Sequence, residues 1–144
     1  MKKRGVTLIE IIVVIAILSL LVSISFKSST IKNVINTITT QSVKSDISNL
    51  ISFAKSYCYS TGNPGKLEVN QKRGTISFID TRNLLNRNVI AEMTLPNGYK
   101  FLESFNISVS TNGVVSSDSI ILRDLNGEYH KVTILVGVDL VNVY

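Results

Sequence analysis

Glu10 is the residue with the clearest chemical problem to solve: a carboxylate set in Val6-Thr7-Leu8-Ile9-Glu10, directly before the charge-free run Ile11 to Phe26. A charge inside an apolar helix costs about 2.5 to 3.5 kcal/mol on insertion scales when central, and less near the interface. An opposite charge nearby offsets that cost and keeps the group ionised. Lys3 and Arg4 are within reach by snorkelling, but cutting the chain after Gly5 would supply a better partner, because the new ammonium of Val6 would lie one helical turn from Glu10. The other reactive side chains make no catalytic set. Cys58 and His130 occur once each, which leaves no intrachain disulfide and no zinc site of the usual Cys/His ligand count. His130 reads as an exposed histidine beside the Asn126-Gly127 turn, and Cys58 as a small core residue. The ten carboxylates are scattered, and no nucleophile elbow or phosphate loop is present. No catalytic residue, metal site or cofactor is expected, and the chain is read as not an enzyme.

Something must position Glu10. Met1-Lys2-Lys3-Arg4-Gly5 is a short basic head, and Val6 to Phe26 is 21 residues long, close to the roughly 20 that cross a bilayer core of about 30 Å. The cations before the segment orient its head to the cytoplasm and the rest outward. An ordinary signal peptide, with Ser23-Ile24-Ser25 as its small-residue site, or a plain signal anchor would also use such a stretch, but neither gains from Glu10.

The string Lys-Lys-Arg-Gly, then Val-Thr-Leu-Ile-Glu, then an unbroken apolar run resembles the class III signal of type IV prepilins and pseudopilins. The resemblance implies cleavage by a prepilin peptidase between Gly5 and Val6, methylation of the new amino terminus at Val6, and an assembly and register role for Glu10 together with Thr7. It implies a cytoplasmic (inner) membrane protein, single-pass with its amino terminus inside. From there it would enter an extracytoplasmic filament or its tip. Its partners would be the peptidase, other pilin or pseudopilin subunits, the inner-membrane assembly machinery and, before assembly, membrane lipid. Val6 stands where the family usually has phenylalanine, Lys27 where many major pilins have a kinking proline, and Ser19 where glycine or alanine is common midway; the last two point toward a minor subunit.

Downstream, residues 6 to 61 contain neither Gly nor Pro, whereas seven of the eight glycines and both prolines follow position 61. Ile31, Val34, Ile35, Ile38, Val43, Ile47, Leu50, Ile51, Ala54, Tyr57 and Cys58 recur mostly at steps of three and four. That spacing predicts one buried helical face, with Lys32, Lys44, Asp46, Ser48 and Lys55 between. Joined to the apolar segment, the helix would run from about Thr7 to Tyr59, about 80 Å at about 1.5 Å per residue, and stop with Gly62 as cap. After Gly65 the period changes to two. Strands are expected at 66–70, 74–80, 91–95, 106–111, 119–123, 129–136 and 140–144, with Pro96-Asn97-Gly98, Asn112-Gly113 and Asn126-Gly127 among the turns. The expected fold class is α+β: a long amino-terminal helix, half apolar and half amphipathic, packed on an antiparallel sheet. Its parts are a leader at 1–5, a transmembrane and assembly helix at 6–26, an amphipathic helix at 27–61 and a sheet domain at 62–144. This layout is similar to the H-type minor pseudopilins of type II secretion and related minor pilins.

The function implied is a structural subunit of a type IV pilus-like or type II secretion-like filament. The alternative is a secreted or anchored β-sheet binding domain. DNA, which some pilin systems take up, is the lesser partner class. Formal net charge is +5, but loss of Lys2, Lys3 and Arg4 leaves 12 basic against 10 acidic residues. Lys72, Arg73, Arg82 and Arg87 could form a patch that meets phosphates, though a solvated surface is the preferred reading.

Overall fold

The computed structural model describes residues 7–26, 29–82, 87–135 and 141–143, with side chains for 7–23, 31–82 and 87–135. Among the described residues two helices and eight strands follow one another: α1 (Leu8–Phe26), α2 (Ser29–Thr61), β1 (Gly65–Asn70), β2 (Thr75–Asp80), β3 (Asn88–Thr94), β4 (Lys100–Phe101), β5 (Phe105–Val109), β6 (Asp118–Arg123), β7 (Tyr129–Ile134) and β8 (Val141–Val143). The chain divides into two compact units, Met1–Thr37 and Ile38–Tyr144, each with its own internal contacts. The single helix expected over 7–59 is found as α1 and α2, and its continuity through Lys27 and Ser28 lies outside the described residues.

In the second unit, α2 supplies Val43, Ile47, Leu50, Ile51, Ala54 and Cys58 to one hydrophobic cluster. The predicted stripe therefore buries from Val43 onward, whereas Ile31, Val34, Ile35 and Ile38 are 42 to 65% exposed. The helical period marks a face, not how far along the helix a partner lies against it. Lys44 departs from expectation too, being buried at 8% exposure rather than solvated between apolar positions. Beside it on the helix, at i−4, buried Thr40 places its Oγ1 2.9 Å from the Tyr99 hydroxyl. Gly62 ends α2 as expected, with φ of 65° and its N–H donating to the Cys58 carbonyl at 2.9 Å. That is the left-handed cap a residue without Cβ adopts at no steric cost.

Among the described residues all strand pairs are antiparallel, but they form two four-stranded sheets, ordered β3-β2-β1-β5 and β4-β6-β7-β8. Sequence periodicity sets which residues share a face and leaves strand partners open. The division arises because β1 pairs with β5 across some forty residues (Leu67 opposite Ile107), which fills the edge that a simple meander would leave to a neighbour in sequence. The two-residue β4 was not foreseen, being too short to show a period. The bulge in β3 falls at Ile90, between Val89 opposite Ile79 and Ala91 opposite Phe78. β2 is buried on both faces, and its Phe78 ring meets Tyr57 and Phe53 of α2 edge-on at centroid distances of 5.5 and 6.2 Å.

Cys58 is fully buried in this core, and burial, with the Asp80 charge as a smaller cause, pushes its thiol pKa up. Thiolate is the reactive form, so both effects protect it. Maleimide labelling of the native protein is expected to be more than about 100-fold slower than in denaturant. Equal rates in a stopped-flow or mass-spectrometric assay would mean that the end of α2 opens readily.

Candidate functional site: the amino-terminal helix

The sequence begins α1 in a way its geometry explains. Thr7 precedes the first helical residue, and Glu10 follows three positions later, the spacing at which a carboxylate can reach back over a helix start. It does so: the Thr7 backbone N–H donates to Glu10 Oε2 at 2.8 Å, and the Thr7 hydroxyl donates to the same oxygen at 3.0 Å. The Glu10 N–H in turn donates to the Thr7 carbonyl at 3.1 Å. A negative charge in the first turn also meets the positive end of the helix dipole. The chain thus holds the Glu10 carboxylate on its own helix start, with Thr7 as a partner that the sequence, which pointed to the Val6 ammonium, did not indicate. Gly5 and Val6 lie outside the described residues.

Beyond Glu10 the helix is apolar on every side. Each described residue from Leu8 to Ser23 is exposed, with Leu8 at 77% and Ile9 at 69%. A helix hydrophobic all round is built to be surrounded by lipid or by other helices. Its serines fit such surroundings, since Ser19 donates to the Ile15 carbonyl and Ser23 to the Ser19 carbonyl, both at 2.8 Å. Hydroxyls satisfied within their own helix add little cost in an apolar medium. Among the described residues no helix is long and apolar enough to cross a membrane. The described side chains of α1 end at Ser23, 16 residues from Leu8 or about 24 Å of helix, while the segment expected at Val6 to Phe26 extends past them at both ends.

The four basic residues do not gather at one place. Lys72 and Arg73 are exposed in the turn between β1 and β2. Arg82 and Arg87 belong to the opposite end of β2, a strand about 17 Å long from Thr75 to Asp80. Both have acidic partners: Arg87 is 3.0 Å from Glu68, and Arg82 is 3.9 Å from buried Asp80.

One constellation went unseen in the sequence. His130 is not an exposed hairpin residue: its side chain is 19% exposed, and its Nε2 lies 3.0 Å from Oδ2 of Asp124, whose side chain is 1% exposed. Antiparallel pairing of β6 with β7 sets Leu122 opposite His130, so the ring reaches back to the residue that opens the loop. The signal available was an acidic residue at the start of an Asn-Gly loop with a histidine just beyond it.

Residues 1–26 match the prokaryotic N-terminal methylation motif. The structure is similar to that of the minor pseudopilin EpsH from the Type 2 Secretion System of Vibrio cholerae, with a TM-score of 0.54 over 65% of this chain and 86% of that one, at 11% sequence identity. No curated protein matches the chain in sequence. Residues 1–26 thus carry an N-terminal methylation motif, and the fold, a long helix with antiparallel sheet, is that of a pseudopilin.

Proposed function

A chain that joins the prepilin-type methylation motif to a pseudopilin fold is, we propose, a structural subunit of a type II secretion-like or type IV pilus-like filament, of the minor class. The observation that carries the reading is α1 itself: an all-round apolar helix whose sequence holds one carboxylate, Glu10, four residues after the position where a prepilin peptidase would expose a new amine at Val6. Residues 6–26 would sit first in the cytoplasmic membrane, with the sheet domain outside, and then leave lipid to pack among other subunits. A filament needs a heterologous, head-to-tail interface. Apolar helices gain in such packing from close contact and from paired polar groups. Glu10, released from Thr7, would pair with the Val6 amine of a neighbouring subunit and set the axial register. The exposed residues Ile31, Val34, Ile35 and Ile38 extend the apolar surface along α2 and suit the same packing. The partners are the peptidase, other pseudopilin or pilin subunits, the membrane assembly machinery and lipid; the role is structural, without a catalytic step of its own.

The amino terminus of the mature protein tests this directly. Intact-mass and terminal sequencing of membrane-extracted protein should give a chain that starts at Val6, N-methylated and lacking residues 1–5. Replacing Gly5 by Phe should abolish that loss of mass. A chain starting at Phe26 would mean ordinary secretion, and a Gly5→Phe variant cleaved like the parent would remove the peptidase from the account.

A further inference from the structure

The loop between β6 and β7 brings Asp124, Glu128 and His130 together so that one ligand atom from each lies within 4.8 Å of the others. We propose that these three residues form a divalent transition-metal site of the zinc type in the sheet domain, separate from the amino-terminal helix.

The donor set is one imidazole and two carboxylates, which suits Zn²⁺ among the common ions. Ligand bonds of about 2.0 to 2.2 Å place neighbouring ligand atoms a little over 3 Å apart in tetrahedral geometry. The His130 Nε2 to Asp124 Oδ2 separation of 3.0 Å is already near that span. Asp124 is oriented before any ion arrives, because its Oδ1 accepts the backbone N–H groups of Asn126 at 2.9 Å and Glu128 at 2.8 Å, which turns Oδ2 toward His130. Such outer hydrogen bonds hold metal ligands in place. The loop around them is tight: the Asp124 N–H donates to the Glu128 carbonyl, and the Gly127 N–H to the Asp124 carbonyl. Arg123 donates from Nε to the Gly127 carbonyl at 3.3 Å and so ties down the loop that carries the two carboxylates. Glu128 is exposed and can swing to complete the set, with water in the remaining position. Coordination through Nε2 requires the tautomer with its proton on Nδ1, so the imidazole exchanges its bond to Asp124 for one to the ion.

The test uses the full chain, without a histidine tag, in detergent micelles. Calorimetric titration with ZnCl₂ should show one ion per chain with a Kd below about 100 μM. Zinc should also raise the melting temperature by about 4 °C or more relative to EDTA-treated protein. Glu128→Gln and His130→Gln should each weaken zinc binding by about tenfold or more, while Glu92→Gln, an exposed carboxylate on β3, should leave it unchanged. Because Glu128 is exposed, its variant should melt like the parent in EDTA, so weaker binding there reports on coordination and not on folding. Failure to take up zinc by about 1 mM, uptake equal in both variants, or a site that prefers CaCl₂ and ignores His130→Gln would each overturn the proposal.

Discussion

Replacing Glu10 by Val is expected to leave cleavage after Gly5 intact and to exclude the subunit from filaments or tip complexes. The isolated chain satisfies this carboxylate with the N–H and hydroxyl of Thr7. A subunit entering a bundle of apolar helices brings a second charge with it, the ammonium of Val6, which Glu10 of a neighbour can neutralise. Removing one partner of a buried ion pair costs about 3–5 kcal/mol because the other charge is left unpaired. Incorporation should therefore fall by more than about 100-fold, read as the ratio of cross-linked or sheared filament subunit to membrane-bound subunit. Thr7→Val supplies the control, since it removes the hydroxyl bond at 3.0 Å and keeps the backbone one at 2.8 Å. If Thr7→Val assembles and Glu10→Val does not, the Glu10 carboxylate and not its bond to the Thr7 hydroxyl is what assembly needs. Normal assembly of Glu10→Val would show that apolar packing alone sets the register.

Phe78→Ala is expected to be the most damaging single change in the sheet domain. The ring is fully buried, edge-on to Phe53 and Tyr57, and a Cβ added at Gly65 would fall 2.5 Å from its Cε2. Packing this close leaves little room for neighbours to collapse into the space. Truncation of a buried phenylalanine costs about 3–5 kcal/mol, against a total stability of about 5–15 kcal/mol for a domain. Thermal unfolding followed by circular dichroism should show a fall of more than about 12 °C in Tm. Phe53→Ala removes one partner of the same cluster from a side chain 45% exposed, and should cost about 1 kcal/mol. Equal losses in the two variants would mean that the aromatic cluster, and not the cavity, carries the effect.

Much of the fold was legible from local rules. Within the breaker-free stretch before Gly62 the described residues 8–26 and 29–61 are helix and Gly62 is the cap of the second, because helix propensity and a left-handed stop are properties of a few adjacent residues. Seven strands were found within a few residues of their observed limits, because alternation and Asn-Gly turns are also local. The pairing of Leu67 with Ile107 and the bulge at Ile90 were not legible, since nothing in either strand names its partner. The burial of Lys44 and the exposure of Ile38 share that cause: a helical stripe records periodicity, and the extent of the opposing layer decides which part of it is covered.

At the amino terminus the elements that matter are local in the sequence. Glu10 and the apolar run stand out within a few adjacent residues, and a three-residue offset is the local geometry that closes the Thr7–Glu10 contact, although the sequence pointed Glu10 at the Val6 ammonium instead. The acidic loop shows the opposite case. Asp124 and His130 become a 3.0 Å pair only because β6 and β7 fold back in one register, and a ligand count over Cys and His could not include the carboxylates beside them. Interactions closed by local backbone geometry were determined by the sequence itself; those closed by strand register and layer packing were decided only by the tertiary structure, because they depend on residues whose separation along the chain says nothing of their distance in space.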